Sequence, residues 1–409
     1  MKIGIPEETS PGERLVALTP DNAADLQEHH DVYLQSGAGE EAGFPDHLYE
    51  DAGVNMVEDR EEVFHRCDVI FQVRALGENP ENAENDLPHF RDGQILIAMV
   101  GPYEDSDAAA DLAEKGVTIF AMELVPRISR AQSMDAQTAL ANIGGYKSVI
   151  LAADTLPRMF PMMMTAAGTV QPANVFVLGA GVAGLQAIAT AKRLGAEVKG
   201  YDIRPEVKEQ VESLGADFIE LDLESDDASE DSGHAREMDE EFYRKQREML
   251  TRVVAEHQVV ITTAAVPGKP SPELITDEMI EGMSEGSVIV DLAAAGGGNC
   301  SPTEADETVN THGVTIFGPT NLPATVPYNA SQLYANNLTS FLNLITDEGN
   351  LDIDHDDEII RNTLLAHDGQ LLNPHHQEEE DEEEEEEAEA NNDDTDVSEH
   401  PDNKQEENA

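Results

Sequence analysis

An α/β fold with two doubly wound parallel-sheet domains on either side of a cleft is predicted by three observations. Short β-branched runs alternate with segments of helical spacing over roughly the first third of the chain. The same alternation restarts at Asn174 and continues through Phe317. Between the two stretches lies one long helical segment rich in small residues. Parallel strands need a covering crossover, so short buried strands alternating with helices are the pattern such sheets leave in a sequence.

In the first stretch, residues 3–5, 32–35, 69–73, 95–100 and 117–120 read as strands. Residues 22–28, 45–52 and 105–115 have helical spacing. Pro20 fits the first turn of a helix, with Thr19 as its cap. Residues 133–158 read as one helix, whose Ala136, Ala139, Ala141, Gly144 and Gly145 allow close packing. The methionine cluster 159–164, beside Pro157 and Pro161, reads as core packing. The second stretch has strands at 174–178, 198–201, 259–262, 287–291 and 314–317. Its helices are read at 182–194, 205–214 and 238–256, with an acidic insert over 222–236. A long helix over 331–345 is expected to return to the first domain. The domains are therefore drawn as 1–135 with 310–372, interrupted by 136–309, and followed by a disordered acidic tail at 373–409.

The chain has 24 Lys and Arg against 84 Asp and Glu, a formal net charge of −60. Phosphate binding needs clustered basic residues, so nucleic acid is excluded as a partner. Anionic lipid is disfavoured for the same reason. Residues 377–409 hold 18 of the acids and one base, Lys404, so most of the charge belongs to the folded part. An acidic, lysine-poor surface suits hydration at very high salt, where self-repulsion is screened. The acidic run 378–387 cannot form a core and reads as solvated, with partner docking the alternative. Cys67 and Cys300 alone give no disulfide framework. No run of 18 apolar residues exists, so no membrane insertion is expected, and no signal peptide is read. No metal site is expected.

The strongest motif is Gly179-Ala180-Gly181-Val182-Ala183-Gly184, between a strand and a helix. In that context Gly179 permits a tight turn, Gly181 lets a pyrophosphate approach the backbone, and Gly184 permits close helix–strand packing. The helix N-terminus offers free N–H groups to phosphate. The next strand ends at Asp202, followed by Ile203 and Arg204. Asp202 is placed to accept both adenosine ribose hydroxyls and to repel a 2′-phosphate, which favours NAD over NADP. Arg204 works the other way, since arginine can recognise that phosphate. The two domains are on these grounds Rossmann-like. The stretch 262–268, containing Ala264 and Ala265, follows a strand and is either a tight βα loop or a second coenzyme wall.

The loop before the long helix carries Arg127, Ile128, Ser129, Gln132, Ser133 and Asp135. Arg127 and Asp135 could pair, or could hydrogen-bond a carboxamide. Gln132 offers donor and acceptor together. Ser133 could equally cap the helix.

These residues, with Gly12-Glu13-Arg14, Asp202-Ile203-Arg204-Pro205 and Gly297-Gly298-Asn299, carry a family resemblance over residues 1–345. The chain resembles the NAD(H)-binding subunit of the proton-translocating NAD(P) transhydrogenases and is similar, more distantly, to the alanine dehydrogenases. The loop 127–135 is specific to the transhydrogenase branch. The resemblance implies that Arg127, Gln132 and Asp135 hold the nicotinamide end of NAD(H), with Gln132 reaching toward NADP(H) of a partner. It adds Ile128, Ser129 and Thr138 to the coenzyme contacts, Thr138 standing where the family has serine. The glycine turn 179–184, Asp202, Ile203, Arg204, Gly233, Gln246, Ala264 and Ala265 complete the candidate coenzyme site. A mobile loop is expected at about 222–242, with His234 in place of the usual tyrosine after Gly233.

Where the resemblance sets the lysine, histidine and aspartate of alanine dehydrogenases, this chain has Arg74, Gly101 and Ala295. Amino-acid oxidation needs a proton carrier. Hydride exchange between two nicotinamides needs only positioning and exclusion of water. The expected function is therefore that of a transhydrogenase subunit. A soluble alanine dehydrogenase-like enzyme and a non-catalytic NAD-binding module are the alternatives. The resemblance further implies a homodimer and two kinds of partner, a membrane-embedded proton-channel subunit and an NADP(H)-binding subunit. The chain would then be cytoplasmic and peripheral to the cell membrane.

Overall fold

The computed structural model describes residues 1–103, 107–220, 240–266 and 268–372. Gly233, His234 and the acidic tail lie outside the described residues.

Eight strands form the first sheet, in the order Gln370–Leu371, Leu364–His367, Thr118–Ala121, Ile95–Met99, Val69–Arg74, Lys2–Ile5, Asp31–Gln35 and Asn55–Val57. From Thr118–Ala121 onward all neighbours are parallel. Read from the Asn55–Val57 edge, these six run third, second, first, fourth, fifth, sixth in chain order, which is the doubly wound arrangement. The two strands latest in sequence extend the sheet antiparallel. Ile95–Met99 is buried at every position and Val69–Arg74 at all but the last. Strands covered on both faces are continuous apolar runs, which is why their periodicity is not two.

The second sheet repeats the plan. Its order is Asp217–Phe218, Glu197–Tyr201, Asn174–Leu178, Val259–Thr262, Val288–Asp291, Val314–Phe317 and Thr308–Thr311, parallel except for the last. Val314–Phe317 pairs with Val288–Asp291, so the chain leaves this sheet after Phe317 and not at residue 310.

One helix, Ala136–Thr155, joins the two bodies. Its Ala136 and Ile143 lie in the first core, its Val149 and Ala152 in the second. It starts three residues later than expected because Asp135, and not Ser133, is the cap: its carboxylate accepts from the Thr138 N–H at 2.8 Å. It stops before Arg158 because Leu156 precedes Pro157 and takes an extended conformation. Gly145 faces helix Val182–Arg193 so closely that a Cβ there would lie 2.1 Å from the Ala183 carbonyl oxygen.

Helix Pro327–Leu344 begins four residues before the expected start, with Pro327 in its first turn. Its Tyr334 hydroxyl donates to the Gln72 carbonyl at 2.9 Å, and its Ser331 hydroxyl accepts from the Val16 N–H at 3.0 Å. Asn337 donates to the Ser133 carbonyl at 2.9 Å. The first helix starts at Pro20 with Thr19 before it, but the Thr19 hydroxyl donates to Asn22 Oδ1 and caps no N–H.

The methionine cluster is not core. Met159, Met162, Met163 and Met164 are exposed, Met164 by 74%. Met163–Thr165 pairs only with Gly168–Val170, in a two-stranded hairpin outside both sheets. Apolar composition alone does not say whether a segment has a neighbour to bury it.

The adjacent glycines of the joining helix separate packing from propensity. Gly144→Ala places its Cβ in open space and should be neutral or stabilising by up to about 1 kcal/mol, the helix propensity difference. Gly145→Ala must push the two helices apart and should cost about 1–3 kcal/mol or more. Urea denaturation of the two variants checks the opposite signs.

Candidate functional site

The second sheet ends in a strained turn that only glycine serves. Gly179 has φ +95°, and a Cβ on it would sit 2.5 Å from Thr263 Oγ1. Gly184 lies one helical turn on, where a Cβ would be 1.9 Å from the Gly179 carbonyl oxygen. Gly181 caps helix Val182–Arg193, and a Cβ there meets no atom within 4 Å. The turn is thus closed on two sides and open on the third, at the exposed start of the helix, where Val182 is 38% exposed. Ala180 is buried and Ala183 faces Gly145.

Asp202 stands beside this turn. One carboxylate oxygen accepts from the Ala180 N–H at 2.8 Å, and the other from the Arg204 N–H at 2.9 Å. The Arg204 guanidinium clasps both oxygens at 3.0 Å. The hydrogen bond to Asp202 raises the Arg204 pKa. Asp202 therefore ties the glycine turn to the next strand, with the Arg204 guanidinium held against both of its oxygens. Ile203 packs against the core behind. Gln246 is buried there too, donating to the Tyr201 hydroxyl at 2.7 Å, and its own carbonyl oxygen has no partner among the described residues.

The opposite wall is held by two residues to which sequence reading gave no role. Asp291, fully buried, accepts from Thr262 and Thr303 hydroxyls and from the N–H groups of Ala293, Asn299 and Cys300. Asn299 so fixed pairs with Ala264 in both directions, at 2.9 and 2.7 Å. Ala265 then stands exposed. Their signal was the polar residue at a strand end, followed by two glycines and an asparagine.

Gln132, Asp135 and Thr138 come together along a cavity of about 700 Å³. Gln186 of helix Val182–Arg193 and Asn336 and Asn337 of helix Pro327–Leu344 line it as well. Six of its thirteen lining residues are Asn or Gln, and none is Lys or His. Amides both donate and accept. Arg127 and Ser129 are exposed and Ile128 packs on the first core; none of the three lines the cavity. The pairing of Arg127 with Asp135 does not form, because Asp135 caps the helix. Arg130 instead binds Asp357 through two hydrogen bonds at 2.6 and 3.0 Å, fastening the loop to helix Glu358–Thr363.

Two family models match, described as the N-terminal domain of alanine dehydrogenase/PNT, over residues 4–144, and its C-terminal domain, over 148–374. The chain belongs to the alanine dehydrogenase/PNT family. It is 44% identical over 380 residues to the NAD(P) transhydrogenase subunit alpha of Cereibacter sphaeroides, covering 91% of this chain and 71% of that protein. It is 27% identical over 381 residues to an alanine dehydrogenase of Mycolicibacterium smegmatis, covering 91% and 95%. A crystal structure of transhydrogenase from Sinorhizobium meliloti superposes with a TM-score of 0.81 at 41% identity, covering 91% of this chain and all of that one.

Within this family fold, the first sheet has a switch point of its own, between Lys2–Ile5 and Val69–Arg74. Here it is filled by the chain itself. Glu8 accepts from the Val73 and Arg74 N–H groups at 2.7 and 3.1 Å. Arg74 donates to Glu13 at 2.9 Å and pairs with Glu78. A Cβ on Gly101 would lie 3.0 Å from the Gly77 backbone. Arg14 points elsewhere, to Glu41 at 3.5 Å. Ala295 is exposed.

Glu123, nearby, accepts from the Val100 and Gly101 N–H groups at 2.7 and 2.8 Å, while its other oxygen is buried without a partner among the described residues. Burial pushes its carboxyl up to about 8, and that of Glu8 likewise to about 8. The folded state then holds protons that the unfolded state, titrating near 4.5, has released. Stability should fall as pH rises from about 4.5 to about 8 and level off above. Glu123→Gln keeps the acceptor oxygen and removes the titration. Its melting temperature should decline less between pH 5 and pH 9, by the equivalent of about 4 kcal/mol. Parallel pH curves for the variant and the unmodified chain would remove Glu123 from this account.

Proposed function

We propose that this chain is the NAD(H)-binding subunit of a proton-translocating NAD(P) transhydrogenase. Hydride passes between NAD(H) held here and NADP(H) on a partner subunit, coupled to proton movement through membrane-embedded partner chains. The observation that carries this reading is the amide-lined cavity beside a glycine turn, with no lysine or histidine among its lining. A hydride takes both electrons with it, so exchange between two nicotinamides moves no separate proton and needs no acid or base. The competing reading, a soluble amino-acid dehydrogenase, needs a proton carrier, and the Arg74 guanidinium is already paired with Glu13 and Glu78.

The residues fit the coenzyme. The space above Gly181 is open to a pyrophosphate, and the Asn337 side-chain oxygen Oδ1, on the cavity wall, is buried with no partner among the described residues. Bound nicotinamide would supply the carbon that gives or takes hydride. The chain's own part is positional. Asp135 fixes the first turn of its helix, which sets Thr138 and Gln132 beside each other. The glycine turn and helix N-terminus hold phosphate, and Asp202 meets the ribose once Arg204 turns aside. Residues 136–317 supply most of the coenzyme contacts in this reading, and residues 1–135 with 318–372 close the cleft. Among the described residues no helix is long and apolar enough to cross a membrane; in this reading the partner chains provide the attachment. The exposed methionine hairpin supports a homodimer, since a second copy would bury it.

NADH should bind more tightly than NADPH. Asp202→Asn should weaken NADH by roughly tenfold, about 1.4 kcal/mol, and narrow that preference. Tighter binding of NADPH by the unmodified chain in a fluorescence titration at high salt would sink the assignment.

Gln132→Asn should slow hydride transfer from NADH to an NADP analogue by about 10²-fold, measured with the purified NADP(H)-binding partner domain. NADH affinity should change little, because the amide remains but is drawn back by one methylene. Unchanged turnover would take Gln132 out of the mechanism.

A further inference from the structure

The face of the first domain away from the cavity brings together three side chains that nothing in the coenzyme site uses. Glu61 and His65 lie one turn apart on helix Arg60–Arg66, and His89 ends the short turn Leu87–His89. Each offers one ligand atom, and the three atoms lie within 4.8 Å of one another. His65 Nδ1 is 3.8 Å from Glu61 Oε1, and the His65 and His89 rings are edge to face with centroids 6.1 Å apart.

We propose that Glu61, His65 and His89 form a site for a divalent first-row transition ion, Zn(II) being the best match. Imidazole and carboxylate are the donors that zinc takes, and a two-histidine, one-glutamate set leaves a fourth position for water. The edge of a tetrahedron with bonds of about 2.0–2.1 Å is roughly 3.3 Å, so the three atoms must close by about 1.5 Å at most. Glu61 and His65 are exposed and free to turn by that much.

The framework beneath is fixed without a metal. At the start of the same helix, Arg60 binds Asp86 through Nε and Nη2 at 2.7 and 2.6 Å. Phe64 is fully buried between the elements and packs on the His89 ring at 6.2 Å and on Phe90 at 4.9 Å. Lys115 donates to the Leu87 carbonyl. His89 is therefore delivered to Glu61 and His65 by contacts of its own segment. An ion would join the helix and that segment at a second point, beside the Arg60–Asp86 link. A net charge of −60 raises the local concentration of cations. The sequence did not betray the triad because His89 lies 24 residues beyond His65, outside the short H-x3–5-H spacing by which zinc pairs are read.

The test is calorimetric titration of the chelator-stripped full chain with ZnCl2 in high-salt buffer, which suppresses diffuse binding to the acidic surface. One ion per chain should bind, and Co(II) in its place should show the intense visible bands of tetrahedral coordination. His65→Gln and His89→Gln should each weaken binding by at least about 10–100-fold. Zinc should raise the melting temperature of the unmodified chain and leave both variants unmoved. Zinc binding of unchanged stoichiometry and affinity in the double variant, or an octahedral Co(II) spectrum that the variants share, would overturn the proposal.

Discussion

Backbone packed so closely that no Cβ fits is the constraint on which the rest of the molecule depends. Three such contacts run in series. Gly145 meets Ala183, Gly184 meets Gly179, and Gly179 meets Thr263. The first seats the joining helix on the helix of the glycine turn. The second seats that helix on its own strand. The third brings the turn against the loop of the neighbouring strand. Thr138, Ala139, Asn142, Ile143, Tyr146 and Gln186 of the cavity all stand on the two helices so joined. Gln186 projects from the middle helix and Thr138 from the joining one. A methyl group at any of the three points would shift the next by more than a hydrogen bond tolerates.

The two sheets share one strand order and put their switch points to opposite use. In the second, glycine leaves an opening at the carboxyl ends of the strands. In the first, Glu8 has taken the backbone donors of Val73 and Arg74, and Glu13 and Glu78 have taken Arg74. A crevice that fills its own donors has nothing left to offer a small acid. Topology alone therefore does not assign a binding role to either domain; the residues at the strand ends do.

The α/β class was legible because parallel strands buried on both faces leave continuous apolar runs, as in residues 95–99. The glycine turn was legible because its spacing sits between a strand and a helix. The start of the joining helix was not, since Ser133 and Asp135 are both good caps and only the Thr138 N–H decides between them. The methionines misled because a hairpin and a core strand have the same composition. Asn299 matched a family pattern, yet its work and that of Asp291 became visible only as buried hydrogen bonds at the strand ends. The strands at 364–367 and 370–371 are too short and too far along the chain to announce a place in the first sheet.

That late arrival has a cost during synthesis. The second sheet is assembled from residues 174–318 alone, whereas Val16 waits for a partner 315 residues later and Thr118 for one 249 residues later. On a chain emerging from its amino end, the second body can be native while the first is still incomplete. Strand Thr118–Ala121 is apolar, buried at all four positions, and forms the sheet edge until Leu364–His367 covers it. An open apolar edge is the usual template for pairing with the wrong chain. The segment most in need of shielding on the ribosome is thus this strand, for the interval in which roughly 240 further residues are made.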